Sequence, residues 1–145
     1  MNTNIKKTWQ NTHKSVSKLH SESKLWLSEL AFIKDEIRFL NHLLSAKYLD
    51  CLFEGLAKRI EILTKKMEIE NKLGPILYDS IDKHELLLAD LIEHNNLISN
   101  INYIEQHKRL KKETEIYIKK YKHLKKQIFE VVEKVMKKKN IKKLL

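Results

Sequence analysis

The chain contains two glycines and one proline in 145 residues. Tight turns recruit these residue types because Gly reaches positive φ and Pro pre-sets φ for a turn position. A sandwich, a barrel or a doubly wound α/β fold needs many such turns, so three residues of this kind leave an all-helical chain. The length corresponds to about one domain. Hydrophobic residues make up 42 % of the sequence, enough for a packed core and more than a disordered chain carries.

Apolar spacing then places the helices. Trp26, Leu30, Ile33, Ile37, Leu40 and Leu44 alternate by four and three residues, which aligns them on one helical stripe. Leu49, Phe53, Leu56, Ile60, Leu63 and Met67 repeat that spacing. Gly74-Pro75 reads as punctuation, since Gly suits the position after a helix and Pro the first turn of the next. A third stripe runs through Leu77, Ile81, His84, Leu88, Leu91, Asn95, Ile98 and Asn102. The fourth comprises Leu110, Thr114, Tyr117, Tyr121, Leu124, Ile128, Val131 and Val135. The last two stripes do not join smoothly, because continuing from Asn102 would turn Glu105 and Arg109 inward, so the polar stretch 105–109 reads as a turn.

The expected fold is therefore all-α, an antiparallel up-down-up-down four-helix bundle with coiled-coil-like packing. Its helices fall at about 22–47, 50–72, 76–105 and 109–138, with a loose polar N-terminal arm over 1–20 and a basic tail over 139–145. A single long helix through 105–109 is the alternative.

Several chemistries drop out on this pattern. Di-iron sites in bundles need inward carboxylates and Glu-x-x-His on facing helices. The inward stripes contain no Asp or Glu and one histidine, and Glu-x-x-His does not occur. No two of the seven histidines have the i, i+3 or i+4 spacing of a helical metal pair. No cofactor or metal is expected. His84 reads as a neutral core histidine bonded to backbone or water. Asn95 and Tyr121 read as a hydrogen-bonded polar pair that sets the helix register. Cys51 stands beside Asp50 and close to Glu54, whose charges raise a thiol pKa, and no base-and-acid pattern surrounds it. Without a Gly-rich loop there is no phosphate cradle. The longest apolar runs have four residues, and the opening MNTNIKKTWQ lacks the apolar segment of a signal peptide. The expectation is a soluble, cytoplasmic protein with no catalytic residues.

The formal charge of +10 is unevenly placed. Residues 74–107 carry 1 basic and 6 acidic side chains, and residues 108–145 carry 15 basic and 4 acidic. These two segments are expected to pair. Excess charge gathers at Lys119, Lys120, Lys122, Lys125, Lys126, Lys137, Lys138 and Lys139, a surface that can hold nucleic-acid phosphates by releasing counterions. Arg, the better reader of bases, occurs only at Arg38, Arg59 and Arg109.

The first helix carries a second apolar stripe, Leu25, Phe32, Phe39 and Leu43, with Glu29 and Glu36 interspersed. That is more apolar arc than one bundle face requires, and surplus of this kind marks an interface or a surface covered by the N-terminal arm with Trp9. Glu36-Ile-Arg-Phe-Leu-Asn-His-Leu-Leu44 and Ile128-Phe-Glu-Val-Val-Glu-Lys-Val-Met-Lys137 resemble the first and last helices of small uncharacterised bacterial four-helix-bundle proteins. The resemblance implies a helical bundle and carries over no functional residue. The functional expectation is a non-catalytic bundle acting by protein–protein contact or self-association, with phosphate-backbone binding as the alternative.

Overall fold

The structure, a computed structural model, describes the backbone of residues 2–94 and 101–144 and the side chains of 16–94 and 101–140. It contains three helices: α1 (Asn2–Phe53), α2 (Ala57–Glu93) and α3 (Ile101–Leu144). The four-helix bundle expected from the sequence is thus corrected to three long helices, and each difference has a local cause.

The first connection lies at 54–56 rather than near 48, and it is a complete Schellman motif. Gly55 takes φ = 73°. The Leu56 N–H donates to the Cys51 carbonyl at 2.9 Å and the Gly55 N–H to the Leu52 carbonyl at 3.1 Å, satisfying carbonyls the ending helix leaves unpaired. Leu56 then opens α2, its carbonyl accepting from Ile60 at 3.0 Å. Leu49 and Phe53, expected inward as part of a second helix, belong to the last turns of α1. The α1 register turns Cys51 inward and leaves both exposed.

Gly74-Pro75 does not end a helix. Pro inside a helix removes one N–H and crowds the carbonyl four residues back, at a cost of about 3 kcal/mol. The buried stripe nevertheless continues on both sides of it, with Ile60, Leu63 and Met67 before and Leu77, Ile81, Leu88 and Leu91 after. Gly74 serves close approach: a Cβ there would stand 2.6 Å from the Tyr117 hydroxyl. That hydroxyl donates to the Glu70 carbonyl at 3.0 Å, one turn before the proline.

The stretch 105–109 is helical as well. Tyr103 and His107 are buried, and with Leu110 and Thr114 they keep the four-three spacing unbroken. Asn102, expected inward, is exposed. The apparent clash of registers came from choosing Asn102 instead of its neighbour. The N-terminal residues are likewise no loose arm, since α1 begins at Asn2 and Val16 and Leu19 pack against Leu88, Leu91 and Tyr103. Asn95, Ile98 and the side chain of Trp9 lie outside the described residues.

The chain forms two compact units, Met1–Ala31 with Ile76–Glu115, and Phe32–Pro75 with Ile116–Leu145. Each helix contributes a segment to both. In the first unit the core includes Trp26, Ile81, Leu88, Tyr103 and Leu110; in the second it includes Ile37, Leu40, Met67, Leu124, Ile128 and Val135. No helix among the described residues is long and apolar enough to cross a membrane.

Candidate functional site

In the first unit, α2 and α3 bring two histidines together inside the core. His84 Nε2 and His107 Nδ1 are 2.9 Å apart, and both rings are buried. One nitrogen donates and the other accepts, so at least one of the two rings is neutral. The His84 ring stacks on Tyr103 with centroids 4.2 Å apart and planes 5° apart, and Trp26 lies 4.8 Å from the His107 ring. His107 Nε2 faces Glu22 Oε2 at 3.8 Å, a carboxylate also approached by Lys111 at 3.5 Å. His20 meets Glu85 at 2.7 Å nearby. Burial, reinforced by the neighbouring His107, pushes His84 down to about 4. Burial also holds His107 below the ordinary imidazole value, against the pull of Glu22. His84 is thus a neutral core histidine, bonded through Nε2 to a second histidine. The sequence offered a signal for its partner, because Tyr103, His107, Leu110 and Thr114 have core spacing, but the turn expected at 105–109 hid it.

In the second unit, α1 and α3 run parallel, as their ion pairs show. Glu36 meets Lys125 at 2.7 Å, and further along both helices Asp50 meets Lys139 at 3.6 Å and Glu54 meets Lys138 at 3.3 Å. Tyr121 donates its hydroxyl to the Glu36 carboxylate. Burial raises Glu36, but Lys125 and Tyr121 more than offset this and hold the carboxyl below its usual range. The Tyr121 hydroxyl is pushed up by burial and by Glu36. Asn95, the partner expected for Tyr121, lies outside the described residues.

The same register locates the apolar stripe of α1. Phe39 lies one turn beyond Glu36 and Phe129 one turn beyond Lys125, so the two aromatics flank one stretch of the α1–α3 seam. Phe32 precedes Phe39 by a heptad, and Met136 follows Phe129 by a heptad. Phe32, Phe39 and Phe53 are 62, 59 and 83 % exposed, and Phe129 and Met136 are 42 and 47 % exposed. Taking about 200 Å² for a full aromatic or Met side chain, these five together expose roughly 500–600 Å² along the seam. Of the residues expected at the interface, Phe32 and Phe39 are brought together here. Leu43 is half-buried, and Leu25 is exposed but belongs to the first unit. Phe53, Phe129 and Met136 were missed, because the α1–α3 register that aligns them is not readable from one helix at a time.

The lysine surface is reduced by pairing. Lys125, Lys138 and Lys139 are engaged by acids of α1, and Lys137 by Glu133 on its own helix at 3.0 Å. Among the described residues, Lys119, Lys120, Lys122 and Lys126 have no ion-pair partner; Lys120 lies near enough to Glu70 to oppose the upward push that burial gives that carboxyl. The cross-helix partners of the basic α3 are therefore acids of α1, instead of the acidic 74–107 segment. Cys51 is a free, buried thiol raised by burial and by Asp50. Asp90, Glu93 and His94 bring three potential ligand atoms within 4.8 Å at the exposed end of α2, where His94 Nδ1 is already bonded to the Asp90 carbonyl at 2.9 Å. Comparison of the chain with family models, curated proteins and solved structures finds no match.

Proposed function

We propose that the protein is a cytoplasmic, non-catalytic helical protein that acts by protein–protein contact, through the aromatic seam of α1 and α3 in its second unit. The observation that carries this reading is the cluster of Phe32, Phe39, Phe53, Phe129 and Met136 exposed along one seam. Large aromatics on a surface lose favourable burial, whereas at an interface they act as anchors. The histidine pair, with both rings buried in the core and bonded to each other, is read as structural. The test is a photo-crosslinking phenylalanine analogue at Phe39 in living cells, with Lys65 on α2 as the control position. A discrete protein adduct at Phe39, lost when Phe32→Glu is added and absent at Lys65, is expected. No adduct from Phe39 or from Phe129 overturns the reading.

A second reading rests on Lys119, Lys120, Lys122 and Lys126, exposed cations without ion-pair partners among the described residues. They would hold a phosphate backbone. Four such contacts predict a logarithmic salt slope of about −3 to −4 on duplex DNA. Binding that is absent or insensitive to salt eliminates it.

A further inference from the structure

We infer that the second unit holds an anion pocket between α2 and α3 whose ligand is an oligophosphate, a molecule with two or more linked phosphate groups. The pocket is separate from the aromatic seam of α1 and α3, and none of Lys119, Lys122 and Lys126 lines it.

Charge is the first observation. Residues 32–75 and 116–145 carry 19 basic and 9 acidic side chains, whereas 1–31 and 76–115 carry 10 of each. The second unit therefore holds the whole formal charge of +10. Part of that excess converges in one place. A pocket of about 320 Å³ between α2 and α3 is lined by Lys58, Arg59, Ile62, Leu63, Lys66 and Gln127, three of them cations and none a carboxylate. That volume lies at the lower end for small-ligand sites. None of the three cations has an ion-pair partner among the described residues. Acids of the neighbouring turns are engaged elsewhere, Glu61 by Lys65 and Glu54 by Lys138.

Local structure makes this clustering unfavourable unless an anion answers it. Lys58 and Arg59 fall in the first turn of α2, where N–H groups without helical partners already present positive charge, and that turn contains no acid. Gln127 forms the α3 side of the pocket. Its Oε1 is buried without a donor, so no hydrogen bond there fixes the amide, which can turn its NH2 group toward an anion. Lys134, a heptad beyond Gln127 and so on the same side of α3, has no ion-pair partner among the described residues either. Three positive charges around one pocket call for a ligand of matching charge, and Arg59 adds the fork that binds phosphate oxygens in pairs. Linked phosphates supply that charge compactly, whereas a single phosphate, at about −2 or less, leaves at least one cation unanswered. The groove on the other side of α2 is different: Glu68 lines it and no cation does.

Isothermal titration calorimetry of the full chain with sodium tripolyphosphate tests the inference. Binding at one site with a Kd on the order of 10 µM is expected at low salt, weakening as salt is added. Arg59→Gln and Lys66→Gln should each weaken it by about tenfold, the loss of one charge-assisted hydrogen bond. Both positions are exposed, so circular dichroism and melting should stay unchanged. Lys119→Gln combined with Lys122→Gln is the control, and should change the affinity by less than about threefold, since charges outside the pocket are screened. Orthophosphate should bind at least about tenfold more weakly than tripolyphosphate. A short single-stranded oligothymidylate separates two sources of the phosphates. Displacement of tripolyphosphate assigns the pocket to a nucleic-acid backbone, failure to displace it assigns the pocket to a free oligophosphate, and both support the site. No saturable binding below about 1 mM, orthophosphate binding as tightly, or a loss in the control as large as in the pocket variants overturns the inference. The last outcome keeps the phosphate-backbone reading of the outer α3 lysines, so the two claims fail separately.

Discussion

The first unit buries Ser23, His84, Tyr103, His107 and Thr114, whereas the second packs Ile37, Leu40, Met67, Leu124, Ile128 and Val131, alongside Cys51, Glu70, Tyr117 and Tyr121. Both units are built from the same three helices with the same four-three spacing. Along the α1–α3 seam both units carry acid–lysine pairs, Glu22 with Lys111 in the first and Glu36 with Lys125 in the second, and the second adds exposed aromatics. A core with polar side chains is specified by directional hydrogen bonds and depends on protonation; an aliphatic core is specified by shape and does not. Periodicity is blind to this difference, since histidine and isoleucine can occupy the same stripe.

The largest expected effect belongs to the aliphatic core. Ile128→Ala removes a side chain with no exposed surface and should destabilise by about 2–5 kcal/mol, read as a lowered denaturant midpoint with unchanged slope. A loss below about 1 kcal/mol would mean that the second unit is loosely packed and would break the comparison.

Acid should act on the first unit. His84 sits at about 4 in the folded chain against an ordinary 6.5, and His107 is lowered in the same direction. The unfolded chain therefore binds protons that the folded unit excludes. Stability is present in full above about pH 6.5 and is lost as pH falls toward about 4, with His84 alone accounting for about 3 kcal/mol. Glu22 from α1, Glu85 from α2 and Lys111 from α3 are the charged groups around the pair, and Glu22 moderates the effect by favouring a protonated His107. Amide exchange at Leu88 and Leu91, corrected for intrinsic rates, should quicken between pH 7 and 5 while that of Leu40 and Ile128 does not. Replacing both histidines with leucine should flatten the dependence. Equal acceleration in both units would show that they open together.

The smallest effect sharpens the polar layer within the second unit. Burial, with Glu70 close by, pushes the Tyr117 hydroxyl up to about 12, so it stays protonated and donates. Gly74→Ala gains up to about 1 kcal/mol of helix propensity but drives a methyl against that hydroxyl, for a net loss of about 1–2 kcal/mol. Tyr117→Phe should relieve most of it, giving a coupling of about 1 kcal/mol in the double-mutant cycle. Additive effects would show that Gly74 is not there for Tyr117.

The stripes Trp26–Leu44 and Leu110–Val135 are buried at the positions their spacing predicts, because a helix shows the core the same face wherever it is placed. The turns were harder to read. Gly55 and Gly74 are the same residue type in similar helical surroundings. One supplies positive φ at a helix end; the other supplies room for a tyrosine more than forty positions away in the sequence. Nothing near Gly74 announces Tyr117, so Gly74-Pro75 looked like a stop.

By itself the sequence determined that the chain is helical, which face turns inward over 26–44 of α1 and 110–135 of α3, and that α1 carries apolar surface beyond one core stripe. These are properties of local spacing and of the scarcity of turn residues. The tertiary structure decided that there are three helices and not four, that His84 meets His107, that Lys125, Lys138 and Lys139 are answered by acids of α1, and that Phe39 and Phe129 stand at one level of the α1–α3 seam. Each of these depends on the register between helices, which is set by packing the complete core at once, so no single segment contains it.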